Sequence, residues 1–143
     1  MVTVEFHILS EAGDIARMRH ACKLVEELYA KGERSYVRAS DSSEAQRMDD
    51  LLWTFRDQAF IPHEIAAATS PSHPRIISLI GDDTTPVTFG SALINISNAL
   101  PTAIDSVQQI FEVVDADPAH KQQARERYKQ YRDRGCQLET KNL

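Results

Sequence analysis

The sequence predicts one α/β domain with a mostly parallel or mixed β-sheet flanked by helices. Two observations lead to this prediction. Short apolar segments rich in β-branched residues alternate with longer segments in which apolar residues recur at helical spacing. The length of 143 residues, with 42% hydrophobic and 26% charged residues, is that of one ordinary domain. We therefore assign residues 1–143 to a single domain.

The first part of the chain contains a strand, a helix and a second strand. Apolar side chains occupy every second position of residues 2–9, which predicts a strand with one apolar face. The helix that follows stops at Gly32, and residues 35–39 form the second, short strand. The apolar face of the helix consists of Ile15, Met18, Cys22, Val25 and Tyr29.

The second predicted helix, residues 42–55, contains the only tryptophan of the chain. Asp41 or Ser42 caps its start, and its core face consists of Ala45, Met48, Leu51, Leu52 and Phe55. Trp53 falls outside this face and points to solvent if the helix continues that far. With Phe60, which follows beside a proline turn, it predicts an exposed apolar patch of the kind that binds another protein. If the helix ends earlier, Trp53 folds back into the core.

The second half of the chain contains three further strands and a last helix. Residues 76–80, 92–96 and 110–114 are apolar segments of strand length, and residues 81–90 read as a loop. The last helix covers residues 118–134. The order of elements favours a Rossmann-like, doubly wound sheet with right-handed crossovers.

No catalytic, cofactor or metal site is predicted. The sequence has five glycines, and none is grouped after the first strand to form a phosphate-binding loop. The five histidines lack the cysteine or carboxylate spacing of a metal site, and His63 reads as a local hydrogen-bonding residue. The alternative is a small α/β nucleotide-binding protein or enzyme, whose ligand site would have to lie in residues 64–90.

The last helix reverses the charge of the chain. Residues 1–120 contain nine Lys or Arg and eighteen Asp or Glu, whereas residues 121–134 contain six basic residues and two acidic ones. Asp117 caps the helix, Pro118 takes its first position and Gly135 ends it. A helical stripe on it consists of Lys121, Arg125, Tyr128, Lys129 and Arg132. Such a stripe fits an anionic partner, although a solvated, dipole-compensating helix end is the alternative.

Features of the chain as a whole predict a cytoplasmic protein with no membrane partner. The N-terminus has neither the basic segment nor the long apolar run of a signal peptide or membrane span. Cys22 and Cys136 do not make a disulfide framework. The net charge of −5 argues against extended contact with nucleic acid phosphates, so an acidic peptide is the better anionic partner.

Two segments resemble a known family. The last helix begins after an acidic entry, residues 115–118 (DADP), and continues with residues 124–129 (ARERYK). Residues 48–53 (MDDLLW) and 60–63 (FIPH) form the second segment. Both resemble the chi subunit of bacterial DNA polymerase III, a clamp-loader accessory protein. The resemblance is weak at residues 64–90 and after Gly135.

The resemblance implies a non-catalytic bridging subunit of lagging-strand replication, without a cofactor. One surface, with Trp53, Phe60, Ile61 and Pro62, would bind the psi subunit and through it the clamp loader. A repair helicase is implied as a competitor for that surface. The other would bind the acidic C-terminal tail of single-stranded-DNA-binding protein: Arg125 at the terminal carboxylate, Tyr128 beside the terminal side chain, and Lys121 and Lys129 at the acidic residues. Contact with nucleic acid would be mostly indirect.

Overall fold

The computed structural model describes residues 2–55, 60–67, 71–82, 89–102 and 104–143. Its strands are β1 (Thr3–Ile8), β2 (Ser35–Arg38), β3 (His63–Ile65), β4 (Ser78–Gly81), β5 (Ala92–Asn95), β6 (Gln109–Val114) and β7 (Gln137–Asn142). Its α-helices are α1 (Asp14–Ala30), α2 (Ser42–Thr54) and α3 (Pro118–Asp133), and a short 3-10 helix covers Ile104–Ser106.

The seven strands form one parallel sheet in the order β3-β4-β2-β5-β6-β1-β7. Helices α1 and α2 pack on one face, over a core that includes Met18, Leu24, Val37 and Ile94. Helix α3 and the 3-10 helix cover the other face, where Val4, Phe6, Ile110 and Tyr131 are buried. The predicted α/β class, with helices on both faces of a parallel sheet, is therefore confirmed.

The sequence does not predict two of the strands, β3 and β7, and each of them lies at one edge of the sheet. Strand β3 has only three residues, which is too short for a periodic pattern. Strand β7 has the sequence QLETKN and is almost entirely exposed, as edge strands with charged side chains commonly are. Of the predicted loop at 81–90, Gly81 belongs to β4, and residues 83–88 lie outside the described part of the chain.

Burial corrects the predicted faces of two elements. Ile15 and Tyr29 of α1 are 52% and 39% exposed, because the buried face is rotated toward Arg17, Ala21 and Leu28. Strand β1 is buried on both sides, as central strands of a parallel sheet are. Its polar residues Glu5 and His7 therefore lie in the interior and need hydrogen-bonding partners.

A buried carboxylate on β6 attaches α3 to the sheet. Glu112 is fully buried, and its Oε1 accepts a hydrogen bond of 3.1 Å from Arg127 Nε, with Nη2 also at 3.1 Å. Its Oε2 accepts hydrogen bonds from the Tyr131 hydroxyl at 2.5 Å and from Asn95 Nδ2 at 2.9 Å. Burial, together with the Glu112 carboxylate, raises the pKa of Tyr131 well above its usual range, so the phenol stays a donor. Most of helix α3 is exposed, but the side that carries Ala124, Arg127 and Tyr131 is buried.

A second polar chain connects β7 to β1 and α1. Lys141 Nζ lies 2.7 Å from Glu5 Oε1, and His7 Nε2 lies 3.2 Å from the same oxygen. His7 Nδ1 in turn lies 2.7 Å from His20 Nε2. Burial, with the nearby charges of His7 and Lys23, lowers the pKa of His20 from 6.5 to about 4. His20 is therefore neutral in the folded protein at neutral pH.

None of the helices in the described ranges combines the length and the apolar character that crossing a membrane requires.

We predict that Arg127→Met lowers the free energy of unfolding by roughly 3–5 kcal/mol, because it leaves the Glu112 carboxylate buried without its cation. Urea denaturation measures the change. Arg125→Met is the matched control, an exposed arginine on the same helix, and should cost less than about 0.5 kcal/mol. Equal losses in the two variants would contradict the assignment of Glu112 and Arg127 as the attachment of α3.

We also predict that the protein loses stability as the pH falls from about 6.5 toward 4. In this window the unfolded chain protonates His20 and the folded chain does not, because its pKa is lowered to about 4. In His20→Gln, where the side chain no longer titrates, the free energy of unfolding should depend less steeply on pH. Parallel curves for the two proteins, measured by urea denaturation at several pH values, would show that His20 does not contribute.

Candidate functional site: a basic groove and an aromatic surface

Helix α3 forms as the sequence predicts, and its caps set where the basic stripe begins and ends. The Asp117 carboxylate accepts hydrogen bonds from the backbone N–H groups of Ala119 and His120. Pro118 occupies the first turn, and Gly135 follows the helix with a φ of 81°. The stripe therefore extends along the whole solvent side of the helix.

The four residues predicted to bind an acidic tail line one groove between α3 and the sheet, with a volume of about 450 Å³. We call this the basic groove. From α3 its lining consists of Lys121, Ala124, Arg125, Tyr128, Lys129 and Arg132, and from the strands of Phe6, Ile8, Thr140 and Asn142.

The basic groove is apolar at its base and cationic at its rim. The rings of Phe6 and Tyr128 have centroids 5.5 Å apart, and Tyr128 keeps 36% of its surface exposed. Ile8 and the buried Ala124 complete the apolar part. An apolar end group bound here would have positive charge close by.

Six groove residues lie outside the predicted set, and one of them, Ala124, is an apolar residue of the same helix. Phe6 and Ile8 were recognised as one face of a strand, but the sequence does not show which helix covers that face. Thr140 and Asn142 belong to β7, which was not predicted at all. Arg132 belongs to the basic stripe but not to the predicted tail site, and its side chain lines the groove.

The rim cations are available to a ligand. Arg125 Nη1 donates a hydrogen bond of 3.1 Å to Gln122 Oε1, on the exposed side of α3. Within the described ranges, no carboxylate lies at ion-pair distance from Lys121, Arg125 or Lys129. Arg132 Nε is 3.8 Å from Asp133 Oδ1, and both side chains are largely exposed, so this pair is weak. The groove can therefore bind a carboxylate without first breaking a strong ion pair.

The second site is an aromatic surface at the end of α2, formed by Trp53, Phe60 and Pro62. Helix α2 continues to Thr54 and leaves Trp53 51% exposed, which confirms its predicted outward position. Phe60 is 64% exposed, its ring centroid lies 5.5 Å from that of Trp53, and Pro62 is half-buried. Ile61 was expected on the same surface, but it is only 3% exposed and packs in the core with α1 and α2. The alternation of side chains in an extended segment turns it inward.

His63 lies beneath this surface as a buried, hydrogen-bonded residue, as the sequence predicts. Its ring centroid is 4.4 Å from that of Trp53. Its Nδ1 lies 2.6 Å from the carbonyl oxygen of Ile61, and its Nε2 lies 3.2 Å from that of Asp49. Both ring nitrogens therefore lie beside carbonyl oxygens of the fold, and a neutral imidazole, with its single N–H, donates to one of the two.

The two sites lie at opposite edges of the sheet. The aromatic surface borders β3, at one end of the strand order, and the basic groove borders β7, at the other. A ligand in one site therefore leaves the other open.

The crevice at the carboxyl ends of β1 and β6, where the chain turns to opposite faces of the sheet, is filled by the protein itself. In doubly wound proteins this is the usual ligand position. Here Asp115 Oδ2 accepts a hydrogen bond of 2.7 Å from Gly13 N–H, and the N–H of Ala116 donates to the carbonyl of Glu11. Burial opposes the charged form of Asp115, but bonds from Gly13 and His120 lower its pKa below the usual value. The amide at Gly13 that could bind a phosphate is already used by a carboxylate.

Within the part of the chain that the structure describes, no cluster of three or more His, Cys, Asp or Glu side chains is placed to hold a metal ion.

Comparisons with known proteins agree on one family. The family model described as "DNA polymerase III chi subunit, HolC" matches residues 1–139. A DNA polymerase III subunit chi of Pseudomonas aeruginosa is 31% identical over 143 residues, covering 100% of this chain and 98% of the relative. That of Haemophilus influenzae is 32% identical, with 99% and 97% covered, and that of Escherichia coli is 26% identical, with 83% and 80% covered.

The fold is also similar to part of a larger protein. A crystal structure of T4 UvsW matches 99% of this chain with a TM-score of 0.65 and 10% sequence identity. The match spans 42% of the UvsW chain. At this identity the similarity concerns the fold alone.

Proposed function

The chain belongs to the DNA polymerase III chi subunit family, a family of replication accessory subunits, and from this premise we propose that it is a non-catalytic bridge. One end binds psi, and with it the clamp loader. The other end binds the acidic C-terminal tail of single-stranded-DNA-binding protein. The observation that carries the proposal is the basic groove, which brings together all four residues expected to bind the tail.

The chemistry of the basic groove fits a peptide that ends in an apolar residue with a free carboxylate. Arg125 binds the terminal carboxylate, because a guanidinium presents paired N–H donors to two carboxylate oxygens. Phe6 and Tyr128 contact the terminal side chain. Lys121 and Lys129 attract the acidic residues that precede it, and Arg132 adds a third cation to the same rim.

Charge favours this peptide over a nucleic acid as the direct partner. The net charge is −5, so long-range attraction to a phosphate backbone is weak away from α3. The groove also has an apolar base, which can bind an apolar side chain but offers no charge or hydrogen bond to a phosphate. Contact with single-stranded DNA is therefore mediated by the protein that coats it.

The aromatic surface fits psi as its partner. Exposed tryptophan and phenylalanine rings in contact leave apolar area that a partner removes from water, and tryptophan is enriched among residues that dominate binding energy. Trp53 and Phe60 make the contact with psi, Pro62 borders it, and Ile61 supports it from the core. A repair helicase that uses the same surface competes with psi.

The opposite positions of the two sites allow both partners to bind at once. With psi beside β3 and the tail beside β7, neither partner covers the other's site. The protein then tethers the clamp loader to lagging-strand template that is coated by single-stranded-DNA-binding protein. Once one partner is bound, the other is held at a raised effective concentration, which strengthens the second contact. The alternative of a nucleotide-binding protein is disfavoured by the Asp115 carboxylate that occupies the usual phosphate position.

For the tail, we predict that Arg125→Ala weakens binding by about 2–4 kcal/mol, or roughly 30- to 900-fold in Kd, because it removes the partner of a carboxylate. Fluorescence anisotropy of a labelled acidic peptide with a free C-terminus measures the effect at low and physiological salt. Binding by the natural sequence should weaken with salt.

Two controls isolate the carboxylate contact. Arg134→Ala removes an exposed arginine just after α3 that does not line the groove, and it should leave the affinity nearly unchanged. A peptide amidated at its C-terminus should bind as weakly to the natural protein as the free peptide binds to Arg125→Ala. Equal binding of the free and amidated peptides would refute the assigned role of Arg125.

For psi, we predict that Trp53→Ala weakens binding by at least about 2 kcal/mol and leaves tail binding intact. Isothermal titration calorimetry with psi of the same organism, and the anisotropy assay with the tail peptide, measure the two contacts separately. Tyr29→Ala, at a 39% exposed aromatic residue of α1, is the control. If Trp53→Ala reduced both affinities alike, the fold and not one surface would have been altered.

A further inference from the structure

The aromatic surface has a built support beneath it that the family resemblance does not explain. His63, on β3, is only 5% exposed, yet its ring lies 4.4 Å from the exposed indole of Trp53. The indole thus contacts Phe60 on the surface and His63 below it. A side chain that is half exposed is normally free to change rotamer, whereas this one is in contact with two other rings.

The His63 ring is itself held on both sides. Its Nδ1 lies 2.6 Å from the Ile61 carbonyl oxygen, and its Nε2 lies 3.2 Å from the Asp49 carbonyl oxygen and 3.4 Å from Asp49 Oδ1. Because the segment just before β3 supplies one contact and helix α2 supplies the others, the ring cannot rotate without losing one of them. The support therefore connects α2 to the start of β3.

Asp49 contacts the His63 ring and precedes Trp53 by one helical turn. Burial raises the pKa of Asp49, whereas its neighbours His63 and Trp53 act in the opposite direction. A carboxylate that is partly desolvated in this way costs stability, which is consistent with a role other than stabilising the fold.

We propose that His63, which Asp49 contacts from α2, is a positioning residue that fixes the Trp53 indole in the outward orientation in which it meets its partner. The proposal rests on the proposed function of the aromatic surface. An indole that is already ordered loses less conformational entropy when it is buried by a partner, which favours affinity without adding a contact. Loss of the support should therefore weaken psi binding by roughly 3- to 10-fold while Trp53 itself remains.

Trp53 is the only tryptophan of the chain, so its fluorescence reports on this position alone. The experiment compares the natural protein with His63→Gln, His63→Phe and the control His73→Gln, an exposed histidine in another loop. Time-resolved anisotropy of the free protein measures fast motion of the indole, acrylamide quenching measures its accessibility, and calorimetry measures the affinity for psi. Circular dichroism establishes that each variant is folded.

We expect His63→Gln to increase both the fast motion and the acrylamide quenching of Trp53, and to weaken psi binding by the stated factor. His63→Phe keeps an aromatic ring beside the indole without the two polar contacts, and it should fall between His63→Gln and the natural protein. His73→Gln should match the natural protein. If His63→Gln does not fold, His63→Phe carries the same comparison.

Unchanged indole motion in a folded His63 variant would overturn the proposal, as would increased motion with unchanged psi affinity. Failure of the proposed function looks different. In that case the natural protein itself does not bind psi, and the fluorescence of the free protein still decides whether His63 orders Trp53. A loss of psi affinity without any change in Trp53 motion would assign His63 to the fold and refute its positioning role.

Discussion

The Glu112 carboxylate, buried in the middle of the sheet, is the constraint on which the basic groove depends. Helix α3 is mostly polar, and apolar packing alone would leave its rotation about its own axis weakly determined. Arg127 and Tyr131 both bond to Glu112 and lie about 160° and about 120° around the helix from Arg125. Attaching one side of α3 to β6 therefore turns the opposite side, with its cations, toward β7 and the solvent. The affinity of the groove and the stability of the fold are connected through this one buried group.

The parallel sheet explains why one small chain presents two separate surfaces. Its central strands are buried on both faces, so binding surfaces can form only at the edges and over the helices. The two edge strands, β3 and β7, each border one of the sites. Both sites combine a side chain on a helix with a strand at the edge. The sheet thus fixes the distance and the direction between the basic groove and the aromatic surface.

Three residues lie elsewhere than their local sequence pattern indicates, and the cause is the same for each. Ile61 is buried, Arg132 reaches the groove and Ile15 is exposed, and each outcome depends on which other element lies opposite. Arg127 could not be recognised as the attachment point of α3, because an arginine in a basic helix looks like its exposed neighbours. Its partner, Glu112, stands in an apolar strand fifteen residues earlier. The pairing becomes visible only when β6 and α3 are placed together.

The sequence by itself determined the fold class, the three helices, the capping residues of α2 and α3, five of the seven strands and the identity of the basic stripe. These depend on local periodicity and on the chemistry of single residues, which are present in the chain before it folds. The tertiary structure alone decided the strand order, the two polar edge strands, the apolar base of the groove and the support beneath Trp53. Each of these features requires contact between side chains that are distant in sequence. A local pattern cannot predict such contacts, because it does not specify the partner of each residue.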